Sequence, residues 1–158
     1  MEATRILFLS VAMMLAGCTS LSVPGAFSPV QGPLSKKPSV PSYAATMSGI
    51  LSGTISVVID NDEACKGPWI FVSKAPSEGS DATNPPAGNL AADWDTVYGA
   101  GYYVAHVLGN KLYARATLSC NKGTRIFAEL SNEHNERGQT KGVAEDNNGN
   151  LFKVSVYN

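Results

Sequence analysis

Apolar and polar residues alternate with period two along much of the second half of the chain. Alternation of this kind marks a half-buried strand. From Gly49 to Ile59, Leu51, Ile55, Val57 and Ile59 alternate with Ser52, Thr54 and Ser56. Asn61-Asp62 supplies a turn, and Trp69 to Ser73 reads as a second strand starting after Pro68. Residues 75–89 are rich in Pro, Ser, Gly, Asp and Asn and read as a loop. Leu90 to Tyr98 then carries helical spacing through Leu90, Trp94 and Val97 or Tyr98. Asn89 suits the N-cap and Gly99 the stop.

Three turn signals organise the remainder. Gly109-Asn110 predicts a two-residue hairpin that sets Val107 against Leu112, Ala105 against Ala114 and Tyr103 against Ala116. Asn121-Lys122-Gly123 predicts a three-residue loop that sets Leu118 against Ile126, Ala116 against Ala128 and Ala114 against Leu130. Both turns select the same inward face. Asn148-Gly149 predicts a third hairpin, with Val143 against Val154 and with Phe152 and Val156 on the apolar face. The expected fold is mainly β: an antiparallel meander forming a small barrel or curled sheet with one short helix. Ala105, Ala114, Ala116 and Ala128 make that face thin. The Trp94 helix is the first candidate to fill it. An apolar ligand is the second, with Trp94, Tyr102 and Tyr103 as its candidate binding residues.

The N-terminus carries an address. An apolar run from Ile6 to Leu15 follows Arg5. It is too short to cross a bilayer, which takes about 20 residues, and fits the core of a signal peptide. Leu15-Ala16-Gly17-Cys18 resembles the bacterial lipobox. The resemblance implies cleavage before Cys18 and a thioether-linked diacylglycerol on its thiol. Two or three acyl chains hold a protein firmly on a membrane, where one binds marginally. The residue after Cys18 is Thr19 rather than Asp. In a Gram-negative host this implies sorting to the outer membrane. The stretch Trp94 to Thr124 is similar to uncharacterised small envelope lipoproteins, which brings no activity with it. Gly142 to Val154 is similar to one strand–turn–strand of an NHL-type propeller blade, but a propeller needs several copies.

Domain boundaries follow. Residues 1–17 are the expected signal peptide. Residues 18–45, with Pro24, Pro29, Pro33, Pro38 and Pro41, read as a lipidated tether. Residues 46–158 are the expected β-rich domain. With Cys18 lipidated, Cys65 and Cys120 remain of the three cysteines. In an oxidising compartment a disulfide between them is expected rather than two free thiols.

Charge changes little. The formal net charge is −1, with 16% charged residues, and neither sign dominates a long segment. Nothing points to a nucleic-acid partner. The two histidines, His106 and His134, lack a triad spacing. Asp93 and Asp95 read as solvated carboxylates near a helix start. Asp60 to Glu63 lacks the twelve-residue calcium pattern. No cofactor, metal or catalytic constellation is indicated. The expected role is a non-catalytic binding or structural domain in the envelope, with a periplasmic carrier of a small apolar ligand as the alternative. The membrane, through lipid on Cys18, is the partner implied.

Overall fold

The computed structural model describes residues 21–72, 90–132 and 139–157. The expected signal peptide, Cys18, the whole 75–89 loop with the Asn89 cap, and His134 lie outside these residues. Eight strands follow one another around a closed antiparallel barrel. They are β1 (Ser22–Gln31), β2 (Tyr43–Gly49), β3 (Ser52–Ile59), β4 (Glu63–Val72), β5 (Tyr113–Cys120), β6 (Arg125–Ser131), β7 (Gln139–Asp146) and β8 (Leu151–Tyr157). Helix α1 (Leu90–Tyr98) lies between β4 and β5 in the chain. β8 closes the ring on β1, with Phe27 opposite Val154 and Gly25 opposite Val156.

The tether reading fails from Ser22 onward, because β1 is a wall of the barrel. Phe27 is buried in the interior. The prolines obscured its period-two pattern, yet each is accommodated. Pro24 precedes the β1–β8 ladder, which begins at Gly25, and Pro29 adjoins the register shift between Pro29 and Gln31. The domain boundary at 45/46 therefore cuts through β2. Pro68 likewise lies inside β4, which starts at Glu63. The β4–β5 register runs through Cys65↔Cys120 and Lys66↔Ser119 and resumes at Trp69↔Ala116, so Pro68 falls in the gap.

The β5–β6 hairpin has the expected register, with Leu118↔Ile126, Ala116↔Ala128 and Ala114↔Leu130. Its turn is closed by Cys120 N–H to the Thr124 carbonyl at 2.9 Å, with Gly123 at φ 99°. The β7–β8 turn repeats that geometry. Asp146 N–H reaches the Asn150 carbonyl at 3.0 Å, and Gly149 takes φ 79°. The loop is thus the three residues Asn147-Asn148-Gly149, not a two-residue turn. The extra residue moves the register by one: Gly142, not Val143, faces Val154. Val143 is turned to the outer wall, as a one-residue slip requires.

The Gly109-Asn110 hairpin does not form. Tyr103–Val107 is a π turn, with Leu108 N–H bonded to the Tyr103 carbonyl at 2.8 Å. Tyr and Val favour strands, but tertiary contacts decide here. Val107 is buried beside Leu90, Trp94, Tyr113 and Val143, while Ala105 is exposed. The partner of β5 on this side is β4.

Eight strands leave an interior just wide enough for side chains or one small ligand. Phe27, Ile55, Trp69, Leu118, Ile126 and Phe152 fill most of it, against Ala114, Ala116 and Ala128. Barrel residues, not α1, therefore occupy the thin face. Small residues let the wall bend tightly: a Cβ on Gly67 would sit 1.8 Å from the Thr117 carbonyl oxygen. The expected disulfide joins Cys65 to Cys120 across β4 and β5, with Cα atoms 3.9 Å apart.

Candidate functional site

The two ends of the barrel differ. At one end the β1–β2 connection carries the 3-10 turn Leu34–Lys36, and Leu34 belongs to the interior cluster. Its N–H donates to Asn150 Oδ1 at 2.9 Å. Asn150 Nδ2 in turn donates to Asp146 Oδ2 at 2.8 Å. Glu63 is buried beside this end and accepts from Thr124 N–H and Thr124 Oγ1 at 3.1 and 2.9 Å. Lys37 pairs with Asp60. This end is closed and polar, and of its buried polar groups the Tyr43 hydroxyl alone has no hydrogen-bond partner among the described residues.

The other end is open and apolar. A cavity of about 180 Å³ enters the barrel between the β2–β3 turn and the start of β5. Val23, Met47, Trp69, Ala114, Leu130 and Val156 line it. Asn132 and Thr140 add polar groups at the rim. The Trp69 indole N–H donates to the Ser48 carbonyl at 2.8 Å, which fixes the ring at the cavity wall. Phe71 stands edge-on to it, with centroids 5.4 Å apart. Period two builds this site, because Met47 and Gly49 of β2, and Trp69 and Phe71 of β4, are alternate residues near the same end of their strands.

None of Trp94, Tyr102 and Tyr103 lines that cavity. All three belong to a second cluster on the outer wall, where α1 covers Tyr113 of β5 and Val143 of β7. Trp94 is fully buried and donates its indole N–H to Glu129 Oε2 at 2.9 Å. Trp94, Tyr98, Tyr102 and His106 recur every four residues and stack in turn at 5.5, 4.8 and 4.4 Å. Lys141 Nζ lies 5.5 Å from the Tyr102 ring centre, and Lys153 Nζ lies 5.4 Å from that of Tyr98. Ring faces so occupied hold the helix to the wall. That four-residue recurrence was the signal for helix beyond Gly99, and the period-two reading missed it.

No family model, no curated protein and no solved structure matches this chain.

Beneath α1 lies a small buried polar group. Burial pushes the Glu129 carboxyl above the ordinary carboxylate range, against the hydrogen bonds from Tyr113 and Trp94. Burial beside Glu129 also pushes the Tyr113 phenol up. Arg115 Nε donates to Tyr113 Oη at 3.1 Å. Asp93 is not solvated as expected: its Oδ2 is buried without a hydrogen-bond partner among the described residues, and burial raises its carboxyl. Asp95 instead accepts the Tyr103 and Gly101 N–H groups at 2.8 and 3.1 Å, which hold its carboxyl low. It fixes the turn after α1. His106 stacks on Tyr102 at the exposed end of this row. Among the described residues no group of three His, Cys, Asp or Glu side chains could hold a metal.

Proposed function

We propose that this chain is a lipid-anchored protein of the bacterial cell envelope whose barrel holds a small apolar group at its open mouth, without catalysing a reaction. The lipobox at Leu15-Ala16-Gly17-Cys18 supports the anchor. Thr19 supports outer-membrane sorting in a Gram-negative host. The apolar cavity is the observation that carries the binding role. Of the two roles left open by the sequence, a binding or structural domain and a carrier of a small apolar ligand, the cavity favours the carrier. Ligand sites are concave, mostly apolar and trimmed with a few polar groups. Here Trp69, Met47 and Leu130 supply the apolar wall, and Asn132 and Thr140 the polar trim. The volume of about 180 Å³ is below the roughly 300–1,000 Å³ of sites for whole drug-sized ligands. It suits a short apolar molecule or the end of a chain.

The anchor is tested by metabolic labelling with a palmitate analogue. Wild-type protein takes up label and sediments with membranes. Cys18→Ala takes up none and is released or remains unprocessed. Label retained on Cys18→Ala contradicts the lipoprotein reading. The cargo is tested by native mass spectrometry of protein extracted from cells. An apolar adduct of low mass is expected, and one that survives unchanged when Leu130→Glu charges the cavity wall contradicts the mouth as its site.

A further inference from the structure

The open mouth also has an unusual rim. The β2–β3 turn places Ile50 and Leu51 at its tip, where they are 71% and 75% exposed. Turn tips in water are ordinarily Gly, Asn, Asp, Ser or Pro. Leu51 was expected to face the core as part of a strand, yet it stands in the open. Leu21, at 59% exposed, lies beside the tip, tied to it by the Gly49 N–H at 3.0 Å from the Leu21 carbonyl. On the far side, the Phe71 N–H bonds to the Leu51 carbonyl at 3.2 Å, bringing the exposed Ile70 and Phe71 to the same rim. Exposed apolar residues gathered in this way mark a contact surface.

The position of the anchor says what the surface meets. Cys18 precedes Leu21 by three residues, and three residues reach at most about 10 Å. With β1 starting at Ser22, no tether separates lipid from barrel. A lipid carried on Cys18 would therefore be held within that reach of Leu21. Asp60, Asp62, Glu63, Lys36, Lys37 and Lys122 lie at the opposite end, away from it.

We propose that the barrel stands mouth-down on the bilayer that holds its anchor, with Ile50 and Leu51 entering the acyl boundary. The cavity then opens onto acyl chains, so its occupant is the end of a membrane lipid chain rather than a solute from water. Apolar side chains buried at the headgroup boundary add to the lipid anchor by their area. This inference rests on the anchor proposed above.

The test uses the full lipidated chain, carrying Ile50→Cys or, at the closed end, Lys36→Cys. Each added thiol is labelled with the environment-sensitive dye NBD, since Cys65 and Cys120 are bonded to each other. The proteins are reconstituted in vesicles of phosphatidylethanolamine and phosphatidylglycerol containing acyl-chain spin-labelled lipid. Blue-shifted emission and several-fold stronger quenching at residue 50 than at residue 36 are expected. Mass analysis of the Cys18 peptide separates the two readings. Lipid on Cys18 with a water-like spectrum at residue 50 overturns the docking alone. An unmodified Cys18 overturns the anchor, and a water-like spectrum at residue 50 in that protein overturns the docking as well.

Discussion

Glu129 shows how one residue ties packing to solution behaviour. Its carboxyl is raised by burial under α1, so the native state keeps its proton to higher pH than the unfolded chain. Its contribution to stability is then full below the ordinary carboxyl value of about 4.3 and falls as pH rises through that value to the raised one. Burial raises Asp93 and Glu145 in the same direction. Asp95, held low by the Tyr103 and Gly101 N–H groups, acts in the opposite direction. Glu129→Gln should therefore flatten the decline of the urea midpoint as pH rises above the ordinary carboxyl value of about 4.3. An unchanged decline would place the titration elsewhere. Cys65 and Cys120 give a second test at this scale. They close a loop of sequence separation 55. Replacing both with alanine should lower stability by about 4 kcal/mol on the chain-entropy relation, read from urea unfolding without reductant. The pair was legible from cysteine count and compartment. Its place in the β4–β5 ladder was not, because no local pattern pairs strands joined through some 40 residues.

At the scale of elements, legibility followed turn chemistry. Asn121-Lys122-Gly123 has its left-handed glycine where a three-residue hairpin loop takes one, so the register of β5 and β6 could be read residue by residue. Asn148-Gly149 looked like a two-residue turn, yet the Asp146 carboxylate accepts the Asn148 and Asn150 N–H groups at 2.9 Å each and stabilises the longer loop. Helix α1 was placed correctly over Leu90–Tyr98, but its destination was not. A small-residue face invites a helix, and here the barrel's own aromatic side chains reached it first. Because α1 packs outside the barrel, its loss should be local. Trp94→Ala removes a fully buried ring and a donor to Glu129, a change that costs about 3–5 kcal/mol. Hydrogen exchange should show lost protection over 90–108 and retained protection in β1 to β8. Collapse of protection in all eight strands would mean that α1 is integral to the barrel.

For the whole molecule, closure depends on a segment that composition disguised. Five prolines between residues 24 and 41 read as a tether, whereas the strand among them is the seam of the barrel. Mild proteolysis should leave Ser22–Gln31 attached to the domain, and cleavage within it before any other strand is cut would contradict a closed ring. The candidate site was illegible for the same reason. Its lining comes from both chain ends and from strands far apart in sequence, so no motif collects it. Closure makes a cup with a polar base and an apolar mouth, and the mouth is the centre of the account. Trp69 lines it and Trp94 does not, so the two tryptophans of the chain separate the site from the outer wall. The decisive measurement is fluorescence quenching by a brominated fatty acid in two variants, Trp94→Phe reporting Trp69 and Trp69→Phe reporting Trp94. Saturable quenching of Trp69 with Trp94 unaffected is the predicted result. No quenching of Trp69, or equal quenching of both, would contradict the mouth as a binding site.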